Sequence, residues 1–378
     1  GCIILNYVVL AKDLNCINIF SFLMKIKEFQ RILEDKGQDF ALFYNLGMEI
    51  NPNMLYFSGY NGLGALIIPR KQKPFIIAPR MEVEKAKKSM IKRVYSMDKK
   101  RFFESIHTII RKNKIKAKKI AIDNNNFTLN IYKRFKKQFK GVKTKDISLD
   151  CLKLRQIKTN KEIQIIKKAF NYGNKILNKT INNFKDFKTE SDVSGFLEYE
   201  TKKHGLDVAF SPIVASGSNA SMPHYEPQNV KLKKGFCMMD FGVKYKGYCT
   251  DCTRTIYVGN PNNKEKTIYN FLLNVQKSII KDIEVGDNCG KIYESCVKDL
   301  KNYSKYFIHG LGHGVGVEVH ELPNLTLNSK DKITENMVFT IEPGIYLPRK
   351  FGMRIEDTVL MQRKPVILTK VPKGLLIV

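Results

Sequence analysis

Five residues in the second half of the chain have the side chains and the order needed to hold divalent metal ions. They are four carboxylates and one histidine: Asp240, Asp251, His313, Glu342 and Glu356. Ligation dominated by oxygen, with a single imidazole, suits Mn²⁺, Co²⁺, Fe²⁺ or Zn²⁺. The set can hold two such ions, and two ions can activate a water molecule that they share. It therefore indicates a hydrolytic enzyme rather than a binding module.

Predicted strands would bring the first two carboxylates together. Asp240 follows the apolar run 236–239, and Asp251 comes eleven residues later, after the turn-like stretch 244–247. Two strands joined by a turn would place the two side chains next to each other. Buried without a partner, these carboxylates would repel each other and lose hydration, so burial requires a cation or protons.

The other three ligands follow similar patterns. We predict for Glu342 and Glu356 an apolar strand, a turn at residues 343–344 and a second strand. His313 lies among glycines at positions 310, 312, 314 and 316. These glycines would let the backbone approach closely and bring a neutral imidazole to the metal. Each of the five alone could be an ordinary turn or surface residue, so the specific signal is the ordered set.

The contexts of these residues resemble the pita-bread metallopeptidases of family M24, which include methionine aminopeptidase, aminopeptidase P, prolidase and creatinase. The matching stretches are residues 213–217, 222–224, 240–242, 251–255, 312–316, 319–321, 342–344 and 354–358. The resemblance implies an α+β fold with a C-terminal pita-bread catalytic domain. It also implies that Asp240 would bind one metal ion, that Asp251 and Glu356 would bridge two, and that His313 and Glu342 would complete the second site.

The resemblance implies catalytic and substrate-binding roles as well. Glu342 would act as general base, while His224 and His320 would bind the substrate and stabilise the tetrahedral intermediate. His309 and Arg354 match positions that recognise an Xaa-Pro substrate. Alternatively, Arg354 is a strand charge paired with Asp357, and His309 is a loop histidine. The other two histidines, at positions 107 and 204, are predicted to be structural.

A smaller α/β domain is predicted to precede the catalytic domain. Apolar runs at 40–44, 65–68, 74–77 and 119–122 predict strands, and amphipathic stretches at 25–36, 100–113 and 127–139 predict helices. The stretch 55–59 resembles the N-terminal domain of creatinase and prolidase. We expect this domain at 24–150 and the catalytic domain at 151–378, where Thr159 and Glu162 predict a capping box. Residues 1–23 are expected to be a non-native or disordered extension, or else an additional strand or helix.

The net charge of +29 invites a nucleic-acid interpretation. The basic residues are spread along the chain, however, and no aromatic-interleaved basic stripe appears. We therefore expect no nucleic-acid partner. No run of about 18 apolar residues occurs, so no membrane span is predicted. The cysteines are expected to be reduced thiols of a cytoplasmic protein, with Cys249 and Cys252 as ordinary strand residues rather than a zinc or redox pair.

The combined prediction is a dinuclear exopeptidase that hydrolyses Xaa-Pro bonds of small peptides, most readily with Mn²⁺ or Co²⁺. Prolidase-type and aminopeptidase P-type activity both remain open, although the short chain fits the small dipeptidases slightly better. The resemblance also implies a homodimer. Alternatives are methionine aminopeptidase activity, creatinase-type hydrolysis, or a basic scaffold that binds nucleic acid or ribosomes without catalysis.

Overall fold

The computed structural model describes residues 14–47, 50–97 and 101–378. The chain divides into two compact units, one up to Leu154 and the other Arg155–Val378. Of the expected N-terminal extension, residues 1–13 lie outside the described residues. Residues 14–23 form the beginning of helix α1 (Leu14–Asp35).

The described part of the first unit contains a mixed six-stranded sheet in the order β4-β3-β2-β1-β5-β6. Its strands are β1 (Phe40–Asn45), β2 (Gly64–Pro69), β3 (Phe75–Ala78), β4 (Val94–Ser96), β5 (Lys119–Ile122) and β6 (Lys143–Asp146). The other helices are α2 (Pro52–Ser58), α3 (Val83–Lys87), α4 (Phe102–Lys112) and α5 (Leu129–Gln138), with 3₁₀ helices at Arg80–Glu82 and Asn124–Asn126. The central strands β1, β2 and β3 are buried along their whole length, which explains their nearly continuous apolar sequence.

The four predicted strands and three predicted helices of this unit are all present. Their ends differ by a few residues, except that the first helix was predicted to begin at residue 25 and begins at Leu14. The sequence prediction missed the short helices α2 and α3 and the strands β4 and β6. Helix α2 is only seven residues long, and its signal lies in its ends: the Asn51 side chain caps the N-terminus, and Gly59 adopts φ +67° after the last turn. The edge strands β4 and β6 are short and largely exposed, so they lack the apolar run that marks a buried strand.

The second unit begins within helix α6 (Ser148–Gln156). Its other helices are α7 (Asn160–Asn182), α8 (Glu190–Lys203), α9 (Asn263–Asp282) and α10 (Cys289–Asp299), with 3₁₀ helices at Phe184–Asp186, Gly217–Ser221 and Lys301–Tyr306. The capping box of Thr159 and Glu162 is formed as predicted. Gly290 lies inside the first turn of α10, where a Cβ atom would come within 2.9 Å of the Ser329 carbonyl oxygen.

In residues 155–378, all of which are described, the strands form four sheets. The strands are β7 (Asp207–Val208), β8 (Ile213–Ser216), β9 (Gly235–Phe241), β10 (Val243–Tyr245), β11 (Tyr248–Cys249), β12 (Cys252–Val258), β13 (Gly312–Gly314), β14 (Glu321–Leu325), β15 (Val338–Ile341), β16 (Gly344–Leu347), β17 (Phe351–Arg354), β18 (Asp357–Met361) and β19 (Pro365–Ile367). Their orders are β11-β10-β7, β12-β9-β8, β14-β13-β15-β18-β19 and β16-β17. Two large apolar clusters pack helices against these sheets. One cluster contains residues of α9 and α10, and the other contains residues of α7 and α8.

Among the described residues, no helix is both long enough and apolar enough to cross a membrane. The six cysteines from Cys151 to Cys296 are buried, and none of these described residues forms a disulfide bond. Cys249 ends β11 and Cys252 begins β12. Burial raises the pKa of the Cys249 thiol to about 12, so this side chain is a packed, protonated strand residue.

Candidate metal centre

A cavity of about 480 Å³ lies in the second unit, beside the strand ends that carry the predicted ligands. The nine side chains predicted for the site all line it: His224, Asp240, Asp251, His309, His313, His320, Glu342, Arg354 and Glu356. Apolar side chains complete part of the wall: Phe210, Pro212, Ile213 and Pro223. Residues that are more than 130 positions apart in the sequence thus converge on one space large enough for a small peptide.

Strands β9 and β12 position the first two carboxylates. The strands are antiparallel neighbours, and Asp240 in β9 is paired with Thr253 in β12. Asp251 lies immediately before β12. The chain between the two acids forms the hairpin of β10 and β11, which turns at Lys246 and Gly247, both with positive φ. The two strands are thus neighbours as predicted, but the segment that connects them is a hairpin that belongs to a separate sheet.

Strands β15 and β18 position the second pair of carboxylates. Ile341, the last residue of β15, is paired with Asp357, the first residue of β18, so Glu342 and Glu356 lie at the same sheet end. The turn predicted at residues 343–344 is wrong. The chain passes there from one sheet into another, because β16 begins at Gly344 and forms its hairpin with β17.

His313 occupies the middle of β13, where glycines allow unusually close backbone packing. A Cβ atom on Gly312 would lie 2.0 Å from the Thr340 carbonyl oxygen, and one on Gly314 would lie 2.0 Å from that of Leu322. The His313 ring is thereby brought close to two acids. Its Nε2 atom is 3.2 Å from Glu342 Oε1 and 3.5 Å from Asp251 Oδ2.

Several buried oxygens at this site have no hydrogen-bond partner within the described residues. They are Asp240 Oδ1, Asp251 Oδ1 and Glu356 Oε1. Asp251, His313 and Glu356 also offer ligand atoms that all lie within 4.8 Å of one another. Because an unsatisfied buried carboxylate oxygen is costly, these atoms require a ligand that accepts their lone pairs. Their chemistry and their spacing fit divalent metal ions.

The electrostatics of the cluster point in the same direction. Burial, followed by repulsion from neighbouring carboxylates, raises the pKa of Asp251 and of Glu356 well above their ordinary values. Burial also opposes ionisation of Glu342 and His313, but their mutual hydrogen bond and opposite charges outweigh it. The pKa of Glu342 falls to about 2 and that of His313 rises to about 9. Without a metal ion the cluster retains protons, and a cation would replace them.

Arg354 contributes a buried positive charge beside the acids. Its Nη2 atom lies 2.6 Å from Asp240 Oδ2, and its Nε atom donates to Thr253 Oγ1 at 3.0 Å. The alternative pairing of Arg354 with Asp357 is wrong, because the Asp357 carboxylate binds Arg254 Nη2 at 2.7 Å. Arg354 thus neutralises part of the charge of one predicted ligand and also faces the cavity.

A hydrogen-bonded chain connects Arg354 to His309. Arg354 Nη1 donates to the Tyr346 hydroxyl at 2.8 Å, and that hydroxyl is 2.9 Å from His309 Nε2. His309 Nδ1 lies 2.7 Å from the Gly310 carbonyl oxygen, which requires a proton on Nδ1. Nε2 therefore accepts from the tyrosine, and burial lowers the pKa of His309, which favours this neutral form.

The other histidines have distinct environments. His320 stacks edge-to-face on His313, with 4.3 Å between the ring centroids, and burial lowers its pKa. His224 is exposed at the cavity wall. His107 packs edge-on against Phe139 in the first unit, and His204 bonds the Glu200 carbonyl oxygen at the end of α8. These last two contacts are structural, as the sequence suggested.

Comparison with known sequence families identifies the second unit. The profile of metallopeptidase family M24 matches residues 164–363, which is more than half of the chain. The chain belongs to metallopeptidase family M24. The creatinase/prolidase N-terminal domain matches residues 25–157. The predicted family, and the predicted pita-bread domain preceded by a creatinase-type domain, are therefore confirmed.

Individual relatives span both domains of this M24 peptidase. The Xaa-Pro dipeptidase of Pyrococcus furiosus is 34% identical over 330 residues, which cover 86% of this chain and 92% of that protein. The structure of an Xaa-Pro dipeptidase from Bacillus anthracis has a TM-score of 0.86 and 30% identity, covering 94% of this chain and 100% of that one. An X-Pro aminopeptidase from Thermotoga maritima gives 0.84 and 30%, with coverages of 90% and 98%.

The sequence prediction assigned no role to several residues that hold the acids of this M24 peptidase. Thr253 Oγ1 donates to Glu356 Oε2 at 2.6 Å, and Thr340 Oγ1 donates to Glu342 Oε1 at 3.0 Å. Arg254 is buried and bonds the Glu356 carbonyl oxygen. Side chains two positions apart along a strand point to the same face. Thr340 lies two positions before Glu342, so the sequence could have indicated that these two side chains are neighbours.

Proposed function

We propose that this M24 peptidase hydrolyses the bond that precedes proline in small peptides, using two divalent metal ions. The observation that carries the proposal is the cluster of buried, unpartnered carboxylate oxygens on Asp240, Asp251 and Glu356 at the wall of a peptide-sized cavity. The relatives named as Xaa-Pro dipeptidase and X-Pro aminopeptidase support proline at the second position.

In this proposal the five predicted ligands keep the roles that the resemblance implied. Asp240, Asp251, His313, Glu342 and Glu356 would together hold the two ions. Bound divalent ions would lower the pKa of a water molecule and so supply the nucleophile. Mn²⁺ and Co²⁺ are the proposed ions, while Zn²⁺ and Fe²⁺ also suit the donor set.

The remaining residues handle protons and the substrate. Glu342, a carboxylate that lines the cavity, would accept the proton of the nucleophile. His224 and His320 stabilise the oxyanion of the tetrahedral intermediate. His309 and Arg354 would orient the substrate. Because Tyr346 already holds both side chains by hydrogen bonds, they lose little conformational entropy when the substrate binds.

Proline explains why a dedicated site is needed. Its nitrogen carries no N–H in a peptide, and its ring fixes φ, so a site that depends on that donor does not hold the substrate well. The named relatives include both an Xaa-Pro dipeptidase and an X-Pro aminopeptidase, so both types of activity belong to the proposal. The homodimer and the cytoplasmic location expected from the sequence stay predictions.

The test is a substrate panel with the purified full-length chain loaded with Mn²⁺, Co²⁺ or Zn²⁺. We expect proline release from Ala-Pro or Met-Pro, or removal of the first residue from a longer Xaa-Pro peptide. Met-Ala-Ser serves as the control for methionine aminopeptidase activity. Trimming of Met-Ala-Ser without cleavage of any Xaa-Pro peptide would show that the proposed specificity is wrong.

A further inference from the structure

A cluster of buried charges lies near the beginning of the second unit. Arg155 and Lys158 are only 1% and 2% exposed, and both contact Glu321, which is 3% exposed. Lys158 Nζ lies 3.1 Å from Glu321 Oε2, and Arg155 Nε lies 3.2 Å from Oε1. Because desolvation offsets much of the attraction in a buried ion pair, such a cluster is often no more stabilising than well-packed apolar residues of similar volume, although removing one partner is costly. Its geometry therefore suggests another role.

The Glu321 carboxylate folds back onto the chain that precedes it. Its Oε1 atom accepts hydrogen bonds from the backbone N–H groups of Val317 at 2.9 Å and Glu318 at 3.2 Å. Gly316 permits this approach, because a Cβ atom there would lie 2.3 Å from Glu321 Oε2. Arg155 also contacts the Glu318 side chain. One carboxylate thus fixes the backbone of residues 316–318 and is itself fixed by two cations.

The segment held in this way carries His320 to the cavity. His320 immediately precedes Glu321, and its ring lines the cavity with the centroid 4.3 Å from that of His313. His320 is an exposed residue whose ring packs against that of His313, so the position of the ring depends on this contact and on the backbone that bears it. That backbone lies between β13 and β14 and is held by Glu321 at the start of β14.

We propose that Glu321, clamped by Lys158 and Arg155, is a positioning residue that holds His320 in the place where it acts on the substrate. The inference rests on the proposed peptidase function and adds to it a residue that does not contact the substrate itself. A displacement of about 1 Å at a catalytic group can lower a rate by about 10²-fold. Loss of the Glu321 charge should therefore reduce kcat through His320.

A double-mutant cycle tests this coupling. Glu321→Gln, His320→Ala and the double variant are assayed for kcat and KM on Ala-Pro or on the best substrate of the panel. We expect Glu321→Gln alone to lower kcat by about 10²-fold. In the His320→Ala background, the same change should lower kcat by less than about 3-fold, because the residue that Glu321 positions is already missing.

Glu200→Gln is the matched control. Glu200 is 2% exposed and pairs with Lys179 at 2.9 Å, but it does not line the cavity. This variant should lose stability like Glu321→Gln while it retains kcat. If Glu321→Gln does not fold, Lys158→Gln removes one clamping cation, keeps a hydrogen-bond donor, and should show the same dependence on His320.

A second readout does not depend on activity. The NMR signal of the His320 ring, assigned by its loss in His320→Ala, should shift in Glu321→Gln, whereas the signal of His204 should not. An equal loss of kcat in both backgrounds, or an unshifted His320 signal, would overturn the positioning role. A wild-type enzyme that cleaves no Xaa-Pro peptide would instead refute the proposed function, whatever the NMR result.

Discussion

Metal binding should stabilise the folded protein by an amount that the structure allows us to estimate. Three buried oxygens, on Asp240, Asp251 and Glu356, have no hydrogen-bond partner among the described residues. Each such group costs ~1–3 kcal/mol, so satisfying all three is worth ~3–9 kcal/mol. Linkage gives ~4 kcal/mol when the free ion is at about 1,000 times its dissociation constant, which lies within that range.

This free energy corresponds to a measurable shift of the melting temperature. For a domain the size of the second unit, 1 kcal/mol shifts Tm by ~2–4 °C, so saturating Mn²⁺ should raise Tm by ~8–16 °C. The assay is thermal unfolding of chelator-treated protein with and without Mn²⁺ or Co²⁺. Asp251→Asn should remove most of the shift, and Glu200→Gln, whose carboxylate pairs with Lys179, should retain it.

If the Tm of the wild-type protein does not change with any of Mn²⁺, Co²⁺, Fe²⁺ and Zn²⁺, the cluster does not bind these ions. An equal shift in Asp251→Asn would show that the ions stabilise the protein from another site. In either case the unpartnered oxygens would need a different explanation.

Three further predictions concern the same cluster. In the folded protein the pKa values of Asp251, Glu356 and His313 are raised, so these groups bind more protons than they do in the unfolded chain. The free energy of unfolding therefore decreases as pH rises through this range. Thermal scans of metal-free protein should therefore show a lower Tm at ~pH 9 than at ~pH 6, and a rise with pH would contradict the sign of these shifts. Gly312→Ala should destabilise the protein by ~1–3 kcal/mol in urea titrations and weaken metal binding, because its Cβ atom would meet the Thr340 carbonyl oxygen. Gly195→Ala is its control, since that helical position is open and alanine should be neutral or stabilising there. Glu342→Gln should lower kcat by ~10²–10⁴-fold on an Xaa-Pro substrate, and unchanged kcat would exclude Glu342 as the base.

The nine side chains predicted for the site lie around one cavity, and they could be picked out because they stand in short, ordered contexts. The acids follow apolar strands, and the glycines around His313 indicate close backbone contacts, which the structure contains at Gly312 and Gly314. The helix start at Thr159 was likewise predictable, because both partners of a capping box lie within four residues.

Features that depend on distant parts of the chain could not be predicted. The Glu342 and Glu356 pair was assigned to a simple turn at residues 343–344, yet the chain there leaves one sheet for another. No local pattern encodes that change. In the same way, nothing near Arg354 indicates that Asp240, 114 positions away, is its partner rather than the nearby Asp357.

Short elements were missed for a related reason. The edge strands β4 and β6 bury little side-chain surface and so lack an apolar pattern. The buried cluster of Arg155, Lys158 and Glu321 is equally invisible in the sequence, because charged residues in a basic chain are expected at the surface.

Elemental analysis of protein purified with Mn²⁺ or Co²⁺ tests the proposed dinuclear site directly, because it counts the metal ions bound per chain. We expect two ions per wild-type chain, fewer in Asp251→Asn and Glu356→Gln, and two in the Glu200→Gln control. Wild-type protein without bound ions, or the same ion content in Asp251→Asn as in wild type, would show that these residues do not form such a site.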